Sequence, residues 1–195
     1  MTTADGRRAA NPRGQGGRLR GELLAAASRL VDTGGPGAVL TLRGVAREAG
    51  VAAPSVYDHF RHLDQLLDAL AGQYRDELAE AVSHPPLRVR DGSPGERLRA
   101  TCRAYLRWGL DRPGRYALAM QRRPGSDLVR LLAARLAALD PPPANARAAA
   151  YALWAGLHGI VGLRTASPEL AWPAPARQVD ALLDGVLPRS APTRS

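Results

Sequence analysis

The chain has 195 residues, enough for one or two domains with a real core. Its net charge of +9 rests on 27 basic residues that are all arginine, which points to an anionic partner, nucleic acid ahead of a membrane surface. The single Cys102 excludes an intramolecular disulfide and argues against a cysteine metal cluster, and the longest apolar run, 148–163, is shorter than the roughly 20 residues that cross a bilayer.

Residues 1–17 are polar, Gly-rich and Arg-rich with no apolar core. They read as a disordered basic arm rather than a signal peptide, so a cytoplasmic protein is expected. Leu19, Leu23, Leu24, Ala27, Leu30 and Val31 then recur at helical spacing. The run "TGGPG" at 33–37 ends that helix. Thr41 is the expected N-cap of a short second helix, and Gly50 closes it.

The stretch "GVAAPSVYDHF" at 50–60 holds few bulky apolar side chains for a packing helix. Pro54 fits a first helical turn, where a missing N–H costs nothing. Ala46 is small enough for a helix crossing, and Val45, Val51, Val56 and Phe60 form an inner apolar set. Ala53, Ser55, Tyr57, Asp58 and His59 are left facing outward. Residues 41–60 therefore predict a helix-turn-helix whose second helix can enter a DNA major groove.

A connecting helix is expected over 63–82. The Pro/Gly-rich break at 83–96 marks a domain boundary, and further helices are expected near 94–111, 113–121, 126–139, 143–166 and 175–187. No period-2 pattern supports a strand. The expected fold is all-α with about nine helices: a three-helix helix-turn-helix domain over 18–62 and a helical ligand-binding and dimerisation bundle over 83–190.

The stretch "TLRGVAREAGVAAPSVYDHFRHLDQLLDAL" resembles the DNA-binding domain of the tetracycline-repressor (TetR) family of bacterial transcription regulators. The resemblance covers about residues 18–70. It implies phosphate contacts from Thr41 and Arg43, a recognition helix opened by Ala53, Pro54 and Ser55, and backbone or base contacts from Tyr57 and His59. The family's usual Lys after the Phe is replaced by Leu63, which leaves Arg61 or His62 to hold that phosphate. "RPGRYALAM" (112–120) and "WAGLHGIVGL" (154–163) resemble a WHG-type C-terminal domain of one branch of the family. That half binds a small effector and forms the homodimer in such proteins.

Trp108, Tyr116, Trp154 and His158 are the expected pocket residues for a small apolar effector. His158 also reads as a hydrogen-bonded core histidine, and no ligand partner at helical spacing makes it a metal site. Gly156, Gly159 and Gly162 share a helix face on which a second backbone can approach. That is either a homodimer contact or a close contact within the chain. No nucleophile–base constellation surrounds Cys102, so no enzymatic activity and no cofactor are assigned. The reading is a ligand-responsive regulator, most simply a repressor, that binds a palindromic double-stranded DNA operator as a homodimer without contacting a membrane. A sequence-independent basic DNA-coating protein is the alternative.

Overall fold

The structure is a computed structural model and describes residues 16–84, 89, 91–122 and 126–187. Most of the expected basic arm, residues 1–15, lies outside the described residues. Those described are helical or irregular, with no strand among them. They contain nine α-helices: α1 (Gly16–Gly34), α2 (Leu42–Ala49), α3 (Ala53–Tyr57), α4 (Leu63–Ser83), α5 (Pro94–Asp111), α6 (Pro113–Gln121), α7 (Ser126–Ala137), α8 (Ala146–Ala166) and α9 (Pro175–Val186).

Two compact units share these helices. One holds the described residues up to Tyr74 together with Arg112–Arg122, and the other holds those of 75–111 and 126–187. The division falls inside α4, ahead of the Pro/Gly-rich break. It also leaves α6, from the second half of the sequence, in the same unit as the helix-turn-helix.

In the first unit α1 buries Leu19, Leu23, Leu24, Ala27 and Val31, the stripe its spacing predicts. A 3-10 turn, Gly35–Gly37, follows at the Gly/Pro run. The reason α6 joins this unit is Gly114. A Cβ there would stand 2.7 Å from the Val31 carbonyl oxygen and 2.8 Å from that of Gly35, so only glycine lets α6 approach the end of α1 this closely. Arg115, one residue on, donates from Nε and Nη2 to the two oxygens of Asp32 at 2.7 and 2.6 Å. Its guanidinium also lies over the Tyr74 ring at 5.2 Å, and the Tyr74 hydroxyl donates to Ser28 at 2.9 Å. Arg122 caps the arrangement from the other end of α6 through Asp64 and Asp68 of α4.

The turn between α2 and α3 is set by one residue. Gly50 has φ 68°, in the left-handed region. Its N–H donates to the Arg47 carbonyl at 3.1 Å, and that of Val51 donates to Ala46 at 3.0 Å, which is the Schellman closure of a helix. Gly50→Val is therefore expected to cost about 1–2 kcal/mol from the left-handed backbone alone. The chemical-denaturation midpoint should fall with an unchanged slope.

The second unit packs α5, α7, α8 and α9 around Leu98, Cys102, Tyr105, Leu132, Leu136, Leu153, Leu157, Val161, Val179 and Leu183. Ser93 and Glu96 form a capping box at the start of α5: the Glu96 carboxylate accepts from the Ser93 N–H at 2.7 Å. α8 begins at Ala146 rather than at 143, because the Asn145 side chain accepts from the Ala148 N–H at 2.9 Å and caps the helix there.

Candidate nucleic-acid interface

The expected contact residues lie on α2, α3 and the segments that flank them, and each is at least partly exposed. Thr41 is extended (φ −136°, ψ 150°), and its hydroxyl oxygen accepts from the Gly44 N–H at 3.0 Å. The hydroxyl hydrogen is still available for a phosphate oxygen. Arg43 and Arg47 follow one turn apart on the exposed side of α2, while Leu42, Val45 and Ala46 are buried beneath them.

α3 starts at Ala53 with Pro54 in its first turn and buries only Val56. Its helical span is five residues, and the chain then turns so that the N–H of Phe60 donates to the Val56 carbonyl at 2.8 Å. Phe60 is buried, and Val51 is only partly so. Pro54, Tyr57 and Asp58 are exposed, and Ala53, Ser55 and His59 are partly exposed. Tyr57 leaves 48% of its surface to solvent, a large exposure for an aromatic residue. At the position where Leu63 stands, the side chain is half-buried, whereas Arg61 is exposed and its backbone N–H is capped by Gln65 at 2.8 Å.

Several arginines elsewhere in the unit are paired with carboxylates, and those of this face are not. Arg18, Arg29, Arg115 and Arg122 are all held in ion pairs with Glu22, Glu48, Asp32 and Asp64. Arg43, Arg47 and Arg61 have no ion pair among the described residues. The expected contact set leaves out Arg47. Arg47 could have been found from its i+4 spacing to Arg43. The guanidinium of Arg20, which lies over the Phe60 ring at 5.1 Å, depends on how α1 meets the turn after α3 and has no local signal.

The expected pocket residues are divided between the units. Tyr116 is buried in the first, with α6; Trp108, Trp154 and His158 belong to the second. The indole N–H of Trp154 is shielded from solvent and has no hydrogen-bond partner among the described residues. His158 is not a core histidine. Leu153, Leu157 and Val161 occupy the buried stripe of α8, so the next position round the helix, His158, is exposed, its ring centroid 6.4 Å from that of Trp154. Burial pushes the Cys102 thiol up to about 12, so it stays protonated at neutral pH.

The glycines of α8 have different surroundings. A Cβ on Gly156 would meet Leu182 of α9 in the same chain at 2.5 Å, so packing within the chain accounts for it. Gly159 and Gly162 have nothing within 4 Å of the corresponding position.

Residues 23–70 match the model of bacterial regulatory proteins of the tetR family, and residues 98–187 match that of the tetracyclin repressor-like C-terminal domain. The chain belongs to the TetR family. TetR-family proteins are transcriptional regulators that bind DNA through the helix-turn-helix. A Rhodococcus sp. RHA1 protein of unknown function is 27% identical, with a TM-score of 0.71 and 91% of this chain and 97% of that one covered. A tetR-family regulatory protein from Rhodococcus RHA1 shares the fold at 20% identity and TM-score 0.67, covering 87% and 97%. The multidrug binding protein EbrR, solved with imidazole, is 25% identical with a TM-score of 0.65, covering 95% and 98%. No helix among the described residues is long and apolar enough to cross a membrane.

Proposed function

We propose that this TetR-family chain is a ligand-released repressor that binds a palindromic operator as a homodimer. The observation that carries the DNA-binding part is the α2–turn–α3 face. There, Thr41, Arg43, Arg47, Tyr57 and Arg61 are all exposed, and its arginines are not committed to carboxylates. Phosphates are held by Thr41, Arg43, Tyr57 and Arg61, and Ala53, Pro54, Ser55 and His59 face base edges. A two-fold dimer then requires a two-fold site.

The effector is a small, largely apolar molecule bound in the second unit. Trp154 supports this reading: a shielded indole N–H without a partner is costly, and an acceptor on a ligand would satisfy it. The multidrug binding by EbrR points the same way. Trp108 and His158 are the other contacts proposed, and Tyr116 stays with the DNA-binding unit. No catalytic step is needed: the effector has only to favour the DNA-incompetent form by about 2–3 kcal/mol.

Salt dependence tests the DNA face. Arg43→Gln should weaken binding to every sequence alike and lower the slope of log K against log salt by about 1, the signature of one lost phosphate contact. Thr41→Ala should weaken binding and cost about 1 kcal/mol of stability, since it removes the cap of α2 as well. An Arg43→Gln slope equal to that of the wild type would remove this residue from the interface.

A further inference from the structure

A second concentration of arginine lies in the other unit. Arg99, Arg103 and Arg107 recur every four residues on α5, and that spacing puts all three on one helix face. They line a cavity of about 250 Å³ together with Val89, Glu96, Ala100 and Ala104.

Among the described residues, the carboxylates around this cavity do not balance the three cations. Glu96 is committed to the N-terminus of α5, where it accepts from the Ser93 N–H and hydroxyl at 2.7 and 2.9 Å. Asp180 of α9 accepts from Arg99 Nε at 2.7 Å, and Arg103 Nη2 reaches the same carboxylate only at 3.3 and 3.4 Å. The hydrogen bond from Arg99 is the largest cause holding the Asp180 carboxyl below its ordinary value, so the carboxylate is ionised at neutral pH. Arg107 has no ion pair among the described residues. Two like charges one turn apart, Arg103 and Arg107, repel each other along the helix. An anion between them would relieve that repulsion.

We infer that the α5 arginine face binds a small anionic molecule, with a carboxylate or phosphate group held by Arg103 and Arg107 and the remainder lying over Ala100 and Ala104. Guanidinium forks match both oxyanions in a bidentate geometry that a lysine could not reproduce. The cavity, about 250 Å³, falls just below the usual range of ligand pockets, which restricts the occupant to a short molecule. None of the DNA-contact residues, and none of Trp108, Trp154 and His158, lines it. The site therefore goes beyond the regulator reading and stands without it.

Calorimetric titration of the full chain tests this with inorganic phosphate and, separately, hexanoate, with ionic strength fixed by chloride. Saturable binding of either probe is expected, and which one binds identifies the anion. Arg107→Gln and Arg103→Gln should each weaken binding by about tenfold or more. Arg130→Gln, at an exposed position of α7, should bind as the wild type does. The inference is overturned if neither probe saturates at a concentration of about 10 mM. It is equally overturned if Arg107→Gln binds like the wild type, or if Arg130→Gln loses as much as Arg107→Gln. DNA binding is not part of the readout, so none of these outcomes bears on the operator.

Discussion

Gly114→Ala is expected to destabilise the DNA-binding unit by about 3 kcal/mol, the upper part of the range for inserting a methyl group into a closed contact. The new Cβ would meet backbone atoms, the carbonyl oxygens of Val31 and Gly35 and the carbonyl carbon of Gly35, all within 2.9 Å. A side chain could rotate away, but these atoms move only if the end of α1 and the 3-10 turn move with them. The displacement would also pull Arg115 from Asp32, and with it the ion pair that ties α6 to α1. In a chain of this size each kcal/mol lowers the melting temperature by about 2–4 °C, so a fall of about 6–12 °C should be seen. Gly21→Ala, within α1 and with nothing within 4 Å of its Cβ position, should be neutral or stabilising by up to about 1 kcal/mol. If the two variants melted alike, the close approach of α6 would not be holding this unit together.

In the homodimer proposed above, Gly159→Leu should separate the two chains while leaving each folded. Inside the chain the Leu side chain has open space at its root, since nothing lies within 4 Å, and replacing glycine in the middle of α8 removes a helix penalty of about 1 kcal/mol. Across a dimer face where two backbones approach closely, the same side chain holds the helices apart. A loss of about 3 kcal/mol or more is expected, over a hundredfold in the dissociation constant. Sedimentation velocity should report monomers for a variant whose circular dichroism matches the wild type. Gly156→Leu provides the contrast: it strikes Leu182 of its own chain and should lower stability before it affects association. A Gly159→Leu chain that sediments as the wild type does, or a wild type that is monomeric at micromolar concentration, would count against a homodimer through this face.

The helices and their order were legible in the sequence because most of the signals are local. Periodic leucines, Thr41 ahead of α2, Gly50 behind it and Pro54 at the opening of α3 each act within one turn of where they stand. The exposed face of α2 and α3 could be read for the same reason, as what remains once Val45, Ala46, Val56 and Phe60 are turned inward. What could not be read depends on pairs distant along the chain. Gly114 looks like an ordinary residue after a proline until α6 is seen against the end of α1. Asp180 and Arg99 are 81 positions apart, and nothing around either announces the other. His158 was misplaced because its neighbours are apolar; the buried stripe of α8 passes one position before it. Of the α8 glycines only Gly156 has a close neighbour, Leu182 of the same chain, while Gly159 and Gly162 have nothing within 4 Å, a difference that their even spacing does not reveal.

Selection of DNA fragments from a random pool, with the purified 195-residue chain, decides whether it reads an operator. One enriched motif is expected, built as an inverted repeat with half-site centres about 10 base pairs apart or a multiple of that. Ser55→Ala should change the preferred bases, while Tyr57→Phe lowers affinity for all of them. Binding to every fragment with equal strength and a steep salt slope, and no enriched motif, would contradict the operator reading and leave a protein that only coats DNA.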